Sequence, residues 1–162
     1  YINEILNKKC FSGEINSSGI ETQKKIIEKC KLQNVECFHF DYNNLNSSSF
    51  QFKLNNPAFI TCNSIEQIEN LPKNFYADLK KYFNINEIQI FHLEPIGFQF
   101  APKSRLDRRH ESYNKQNKYN SNISELIRDL KYEKLEVDKN ILTCESENET
   151  IFSPMSLISL KY

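Results

Sequence analysis

Glycine is nearly missing, at 3 of 162 residues, and no G-x-G-x-x-G, Walker-type, G-x-S-x-G or H-E-x-x-H pattern occurs. A loop of bare amides that cradles phosphate needs several glycines, so such a loop is hard to build from these residues. Net charge is missing as well, with 21 basic side chains against 21 acidic ones. No global basic field therefore recruits nucleic acid, and any such binding must come from a local patch. Long apolar runs are absent: the longest, such as Ile88 to Leu93, are far too short to cross a bilayer. No charged-then-apolar signal opens the sequence, and no membrane partner is expected. The 5 cysteines (10, 30, 37, 62 and 144) include no C-x-x-C pair. Zinc favours closely spaced thiolates and an extracellular disulfide framework favours an even count. These cysteines read as reduced thiols of a nuclear or cytosolic protein, and no bound zinc is expected.

What is present suffices for a core: 39% apolar residues, with 12 Phe and 8 Tyr, in a length that suits one domain or two small ones. The first residue, Tyr1, is not a start methionine, so a piece of a longer protein is expected. Sequons at Asn16, Asn46, Asn122 and Asn148 are expected by chance in so Asn-rich a chain. Of the three histidines, His39 and His92 lie within strand signals, where a hydrogen-bonded structural role is usual, and His110 lies in a basic run. A Cys–His nucleophile pair would need only to meet in space, but no motif marks one. No catalytic residue, cofactor or metal ligand is expected, and the chain reads as a non-enzyme.

Three helix starts carry capping-box spacing: Ser18 to Glu21, Ser64 to Gln67 and Asn122 to Glu125. The first precedes Ile20, Ile26, Ile27 and Cys30 on one side, with Lys24, Lys25, Lys29 and Lys31 elsewhere. Pro72 restarts the chain into a helix with Phe75, Leu79, Tyr82 and Phe83. Ile123, Leu126, Ile127 and Leu130 follow i, i+3, i+4, i+7 and should be buried. Strand signals fall at residues 37–40, 50–54, 85–93, 98–100, 141–144 and 150–152, the last two flanking the polar stretch 145–149 as a hairpin. Segments 42–49 and 111–122 read as loops.

Residues 18–54 and 122–153 then share one order: helix, connector, strand, polar loop, strand. A ribbon that follows a short helix covers the apolar stripe left open, as in a winged-helix unit. The expected fold class is α+β, with two winged-helix-like units over 1–56 and 57–162, the second carrying an inserted basic loop near 101–121. A single α+β domain is the alternative, with a ferredoxin-like or oligonucleotide-binding barrel behind it.

Charge suggests where such units would touch partners. Lys103, Arg105, Arg108, Arg109, Lys115 and Lys118 face only Asp107 and Glu111, with Tyr113 and Tyr119 interleaved. Such a segment can contact phosphates and stack on exposed bases, and these six are the candidate nucleic-acid or phosphate contacts. A solvated loop is the plainer reading. Glu145, Glu147 and Glu149 would make the second wing acidic and repel a phosphate backbone, so they join Lys24 and Lys25 as candidate protein-docking residues.

The stretch Ile123 to Leu130, followed by Ile141 to Phe152, resembles the last helix and wing of winged-helix modules in single-strand-binding complexes. These are the C-terminal domains of the replication protein A middle subunit and of the Stn subunit of the CST telomere complex. The resemblance implies a nuclear, non-enzymatic interaction module for telomere or replication maintenance, docking a polymerase or telomerase partner. Its partners would be proteins of a multisubunit complex, with single-stranded nucleic acid on the basic loop. Two alternatives stand beside it. One is a structural subunit of a large assembly such as a ribosome or respiratory complex, placed in cytoplasm or mitochondrion. The other is a small enzyme with an unrecognised site.

Overall fold

A computed structural model describes residues 8–47, 50, 54–100, 105–130, 138–143 and 156–162. The chain divides into two compact units, Tyr1–Lys53 and Leu54–Tyr162.

The first unit is a β-α-β element. Strand β1 (Cys10–Glu14) leads through Asn16 into helix α1 (Ser17–Lys29), and β2 (Val35–His39) returns beside β1. The strands are parallel, in the register Cys10 to Val35 through Glu14 to His39. Parallel strands need a crossover of this kind, because a short turn cannot bring the chain back to its starting end. Lys31 and Asn34 take left-handed backbone, φ 51° and 62°, and reverse the chain between α1 and β2. An edge-to-face cluster holds the unit: Phe38 lies 4.8 Å from Phe50, and Phe11 lies 5.0 Å from Phe50. Helix α1 buries no residue fully, and Ile26 is 51% exposed rather than part of an inward stripe.

The second unit holds a four-stranded sheet in the order β3-β4-β6-β5. Strands β3 (Ala58–Cys62) and β4 (Gln89–Glu94) are parallel, joined through helix α2 (Phe75–Phe83). Helices α3 (Arg105–Gln116) and α4 (Ile123–Asp129) follow, then β5 (Asp138–Thr143) and β6 (Ser156–Lys161). Strand β6 runs antiparallel between β4 and β5. Alternation along β4 buries Ile90, His92 and Glu94, and along β6 buries Ile158 and Leu160. Ile123, Leu126, Ile127 and Leu130 are buried, as their spacing requires.

The α+β class is what the chain shows, but the winged-helix units are not what builds it. A wing is an antiparallel ribbon that follows its helix. In the first unit the strand after α1 instead pairs in parallel with the strand before it. In the second, β5 meets β6, whose far edge is already occupied by β4, so the pair is half of a wider sheet. The basic loop near 101–121 is largely helix α3, and the strand signal at 98–100 falls on a 3-10 turn, Gly97–Gln99. Residues 51–53 and 144–152 lie outside the described residues, and with them the strand signals at 50–54 and 150–152 and the acidic stretch.

None of the three capping boxes forms: the first helix starts at Ser17 with Asn16 before it, so Ser18 lies inside it, and Asn16, Ser64 and Asn122 make no side-chain cap bond. At the last two starts other side chains accept the amides. The Glu94 carboxylate accepts the amides of Ser64, Ile65 and Glu66 at 3.0 to 3.4 Å, so a 3-10 turn (Ile65–Gln67) stands on a strand-borne anion. Asn120 Oδ1 accepts the Asn122 and Ile123 amides at 3.2 and 3.1 Å at the start of α4.

Candidate functional site

In parallel sheets the carboxyl ends of the strands converge amide-rich turns and side chains on one edge, which is where ligands bind. In the first unit that edge carries two carboxylates. Glu14 closes β1, and Asp41 stands two residues beyond β2. The Asn16 amide donates to Glu14 Oε1 at 2.9 Å, and the Asn43 amide donates to Asp41 Oδ1 at 2.8 Å. Each carboxylate keeps its second oxygen without a partner among the described residues. The Phe40 amide donates to the Glu14 carbonyl at 3.0 Å, locking the strand ends together beneath them. The edge therefore presents two acceptor groups on fixed backbone.

The second unit has its own parallel edge. After β3 the chain turns at Asn63, φ 47°, whose amide donates to the Leu93 carbonyl at 3.2 Å. The Glu94 carboxylate holds the next turn from within. From the other side, Asn120 donates to the Ile68 carbonyl at 3.0 Å, and Asn122 exchanges bonds with Leu71, 3.0 Å from its amide and 2.8 Å to its carbonyl. Burial, more than any neighbour, raises the Glu66 carboxyl above its ordinary range; the Gln67 side chain opposes this and Glu94 adds to it.

Behind this edge His92 is fully buried, with Thr61 Oγ1 2.9 Å from Nδ1 and Tyr76 Oη 3.1 Å from Nε2. Burial pushes its pKa down to about 3, and pushes the Tyr76 phenol up. A neutral, sealed imidazole is a structural link between β3, β4 and α2 and reaches no solvent proton.

The sequence-derived candidates fall elsewhere. Arg108 and Arg109 are exposed on α3 and have no ion pair among the described residues; Lys115 pairs with Glu111 at 2.9 Å. Lys118 is exposed just past the helix, and Arg105 opens it. Tyr113 lies 6.0 Å from Tyr119, edge to face. Lys24 and Lys25 are exposed on α1. Lys103, Glu145, Glu147 and Glu149 lie outside the described residues. Glu14, Asp41 and Glu94 were not singled out in the sequence. Their only signal is position at the end of a strand, which requires the strand pairing to be known. No group of three metal-ligating side chains gathers among the described residues.

Two parallel pairs, each joined through a helix, define two β-α-β elements with acceptor groups at their carboxyl edges. Solved structures narrow the class. The plantazolicin methyltransferase BamL, crystallised with a triazolic desmethylPZN analog and SAH, matches 99% of this chain and 70% of its own at TM-score 0.51 and 14% identity. A chain of the Pnkp1/Rnl/Hen1 RNA repair complex matches 94% of this chain at TM-score 0.51 and 15% identity, and this chain spans 31% of it. The chain thus shares its fold with these two structures. No protein-family model matches the chain, and no curated protein does. These likenesses overturn the winged-helix resemblance, and with it the telomere and replication reading and the expectation of a non-enzyme.

Proposed function

We propose that this chain is part of a methyltransferase that uses an S-adenosyl cofactor, and that the first unit holds the adenosine half. The observation that carries this reading is the pair Glu14 and Asp41 at the carboxyl edge of β1 and β2. A ribose presents two vicinal hydroxyl donors, and a strand-end carboxylate is a matched acceptor for them. Asp41, past the second strand, stands where a carboxylate accepts the ribose hydroxyls, and Glu14 closes the neighbouring strand. The residues present therefore fit the nucleoside; no glycine-rich loop is among them for the amino-acid half. When bound, the cofactor supplies an electrophilic methyl group on a sulfonium. Asp41 would orient the ribose, with Glu14 as the acceptor beside it. Transfer to oxygen or nitrogen also releases a proton, which a base must take up.

The test is calorimetric titration of the natural full-length protein with S-adenosylhomocysteine. Saturable binding that weakens about tenfold or more in Asp41→Ala supports the reading. Binding indifferent to Glu14→Ala and Asp41→Ala removes it. We further infer that the second unit binds an anionic partner on α3, because Arg108 and Arg109 stand exposed there with no ion pair among the described residues.

A further inference from the structure

Helix α3 is mostly open to solvent, and Asn114 is the one side chain that it buries among the described residues. Its exposed side carries more than solvated charge. Tyr113 is 43% exposed, the one aromatic ring among the large apolar side chains left so open in the described residues. Positions four apart on a helix share a face, with their Cβ atoms about 5–6 Å apart, so Arg109 and Tyr113 stand one above the other. The ring of Tyr113 is also held in place. Just past the helix, Lys118 takes left-handed backbone, φ 55°, and the Tyr119 amide donates to the Asn114 carbonyl at 2.9 Å. That turn brings the Tyr119 ring to 6.0 Å from Tyr113, edge to face. A ring braced in this way has less rotamer freedom to lose when something stacks on it.

Two guanidinium groups alone would suit many anions. An open aromatic ring one helical turn away adds nothing toward a point anion, and nothing toward a duplex, whose base faces are already stacked on one another. A single strand offers both a charged backbone and free base faces. We propose that the anionic partner of α3 is a single-stranded nucleic acid, with phosphates at Arg108 and Arg109 and one base stacked on Tyr113. This rests on the reading of α3 as an anion-binding face given above. It adds the class of partner and the residue that tells it from other anions. Every base has a face to stack, so the preference is for an unpaired strand and not for a sequence.

The experiment is a fluorescence anisotropy titration of the natural full-length protein with three labelled probes of equal length: a single-stranded RNA oligonucleotide, an abasic strand, and a duplex. The abasic strand keeps the phosphates and lacks the bases. Wild type should bind the base-bearing strand about tenfold more tightly than the abasic one, the worth of one stacked base. Tyr113→Ala should bind both strands with the weaker affinity and keep the salt dependence, since no phosphate contact is lost. Tyr113→Phe should keep the preference, because the ring and not the hydroxyl carries it. Arg108→Glu with Arg109→Glu should lose both strands. If wild type binds the abasic strand or the duplex as tightly as the base-bearing strand, or if Tyr113→Ala keeps the preference, the single-strand assignment is wrong. The anion-binding face then still stands, provided the double arginine variant loses the probes. If wild type binds none of the probes, or the double variant binds them unchanged, that face falls and this inference falls with it.

Discussion

At the scale of single residues, the buried polar groups of the second unit set its stability. His92 is neutral in the folded chain, with a pKa near 3 against an ordinary 6.5. Between those values the unfolded chain binds the extra proton, so stability is full above pH 6.5 and is lost as pH falls toward 3. Between pH 7 and pH 5 the loss should be about 2 kcal/mol. Urea unfolding at the two pH values should show this loss in wild type, beyond any change in His92→Gln, which cannot take up the proton. An equal pH response in both proteins would show that His92 is not the source. Glu94 is the second case. Its carboxylate meets three amides and the Ser64 hydroxyl, so Glu94→Ala should cost about 3 kcal/mol by leaving those donors with no acceptor. His92 stood out in the sequence as a strand histidine, and its structural role was expected. Glu94 did not stand out, because a carboxylate at a strand end looks like any solvated Glu until the facing turn is placed.

At the scale of elements, periodicity was informative and capping was not. The i, i+3, i+4, i+7 spacing of Ile123, Leu126, Ile127 and Leu130 located α4 and its buried face, and Leu126→Ala should destabilise by about 2–5 kcal/mol in denaturant titration. The box-like spacing at Ser18 lies inside its helix, and at Ser64 and Asn122 other acceptors serve the amides, Glu94 from β4 and the neighbouring Asn120. Strand β3 was missed although Phe59, Ile60 and Thr61 are good strand formers, because five residues next to a proline offer little periodicity. Helix α3 was read as loop because the stretch 111–122 around its end is rich in Asn, Ser and Lys and shows no periodicity. Its exposed Arg108 and Arg109 now make a prediction. Binding of a single-stranded RNA oligonucleotide should fall steeply with salt, and Arg108→Glu with Arg109→Glu should abolish it and flatten the slope. Equal binding by the double variant would clear α3 of any role with anions.

At the scale of the whole molecule, the difference between a tandem of winged helices and the β-α-β elements observed comes down to strand direction. The order helix, strand, loop, strand was legible, whereas the pairing of β2 with the strand before its helix was not. Alternation says which face of a strand is buried, but it does not say whether its neighbour is parallel or lies before the helix. The candidate site suffers the same loss, since Glu14 and Asp41 gain meaning only when β1 and β2 lie side by side. Chemistry in this fold class lives at strand ends, so a sequence that conceals its parallel pairs conceals its site as well. The most direct measurement is therefore the titration of the natural full-length protein with S-adenosylhomocysteine, beside Glu14→Ala and Asp41→Ala. The account predicts saturable binding by wild type, weakened about tenfold or more by either change with the fold intact by circular dichroism. No binding at millimolar ligand, or binding that both variants retain unchanged, would contradict it.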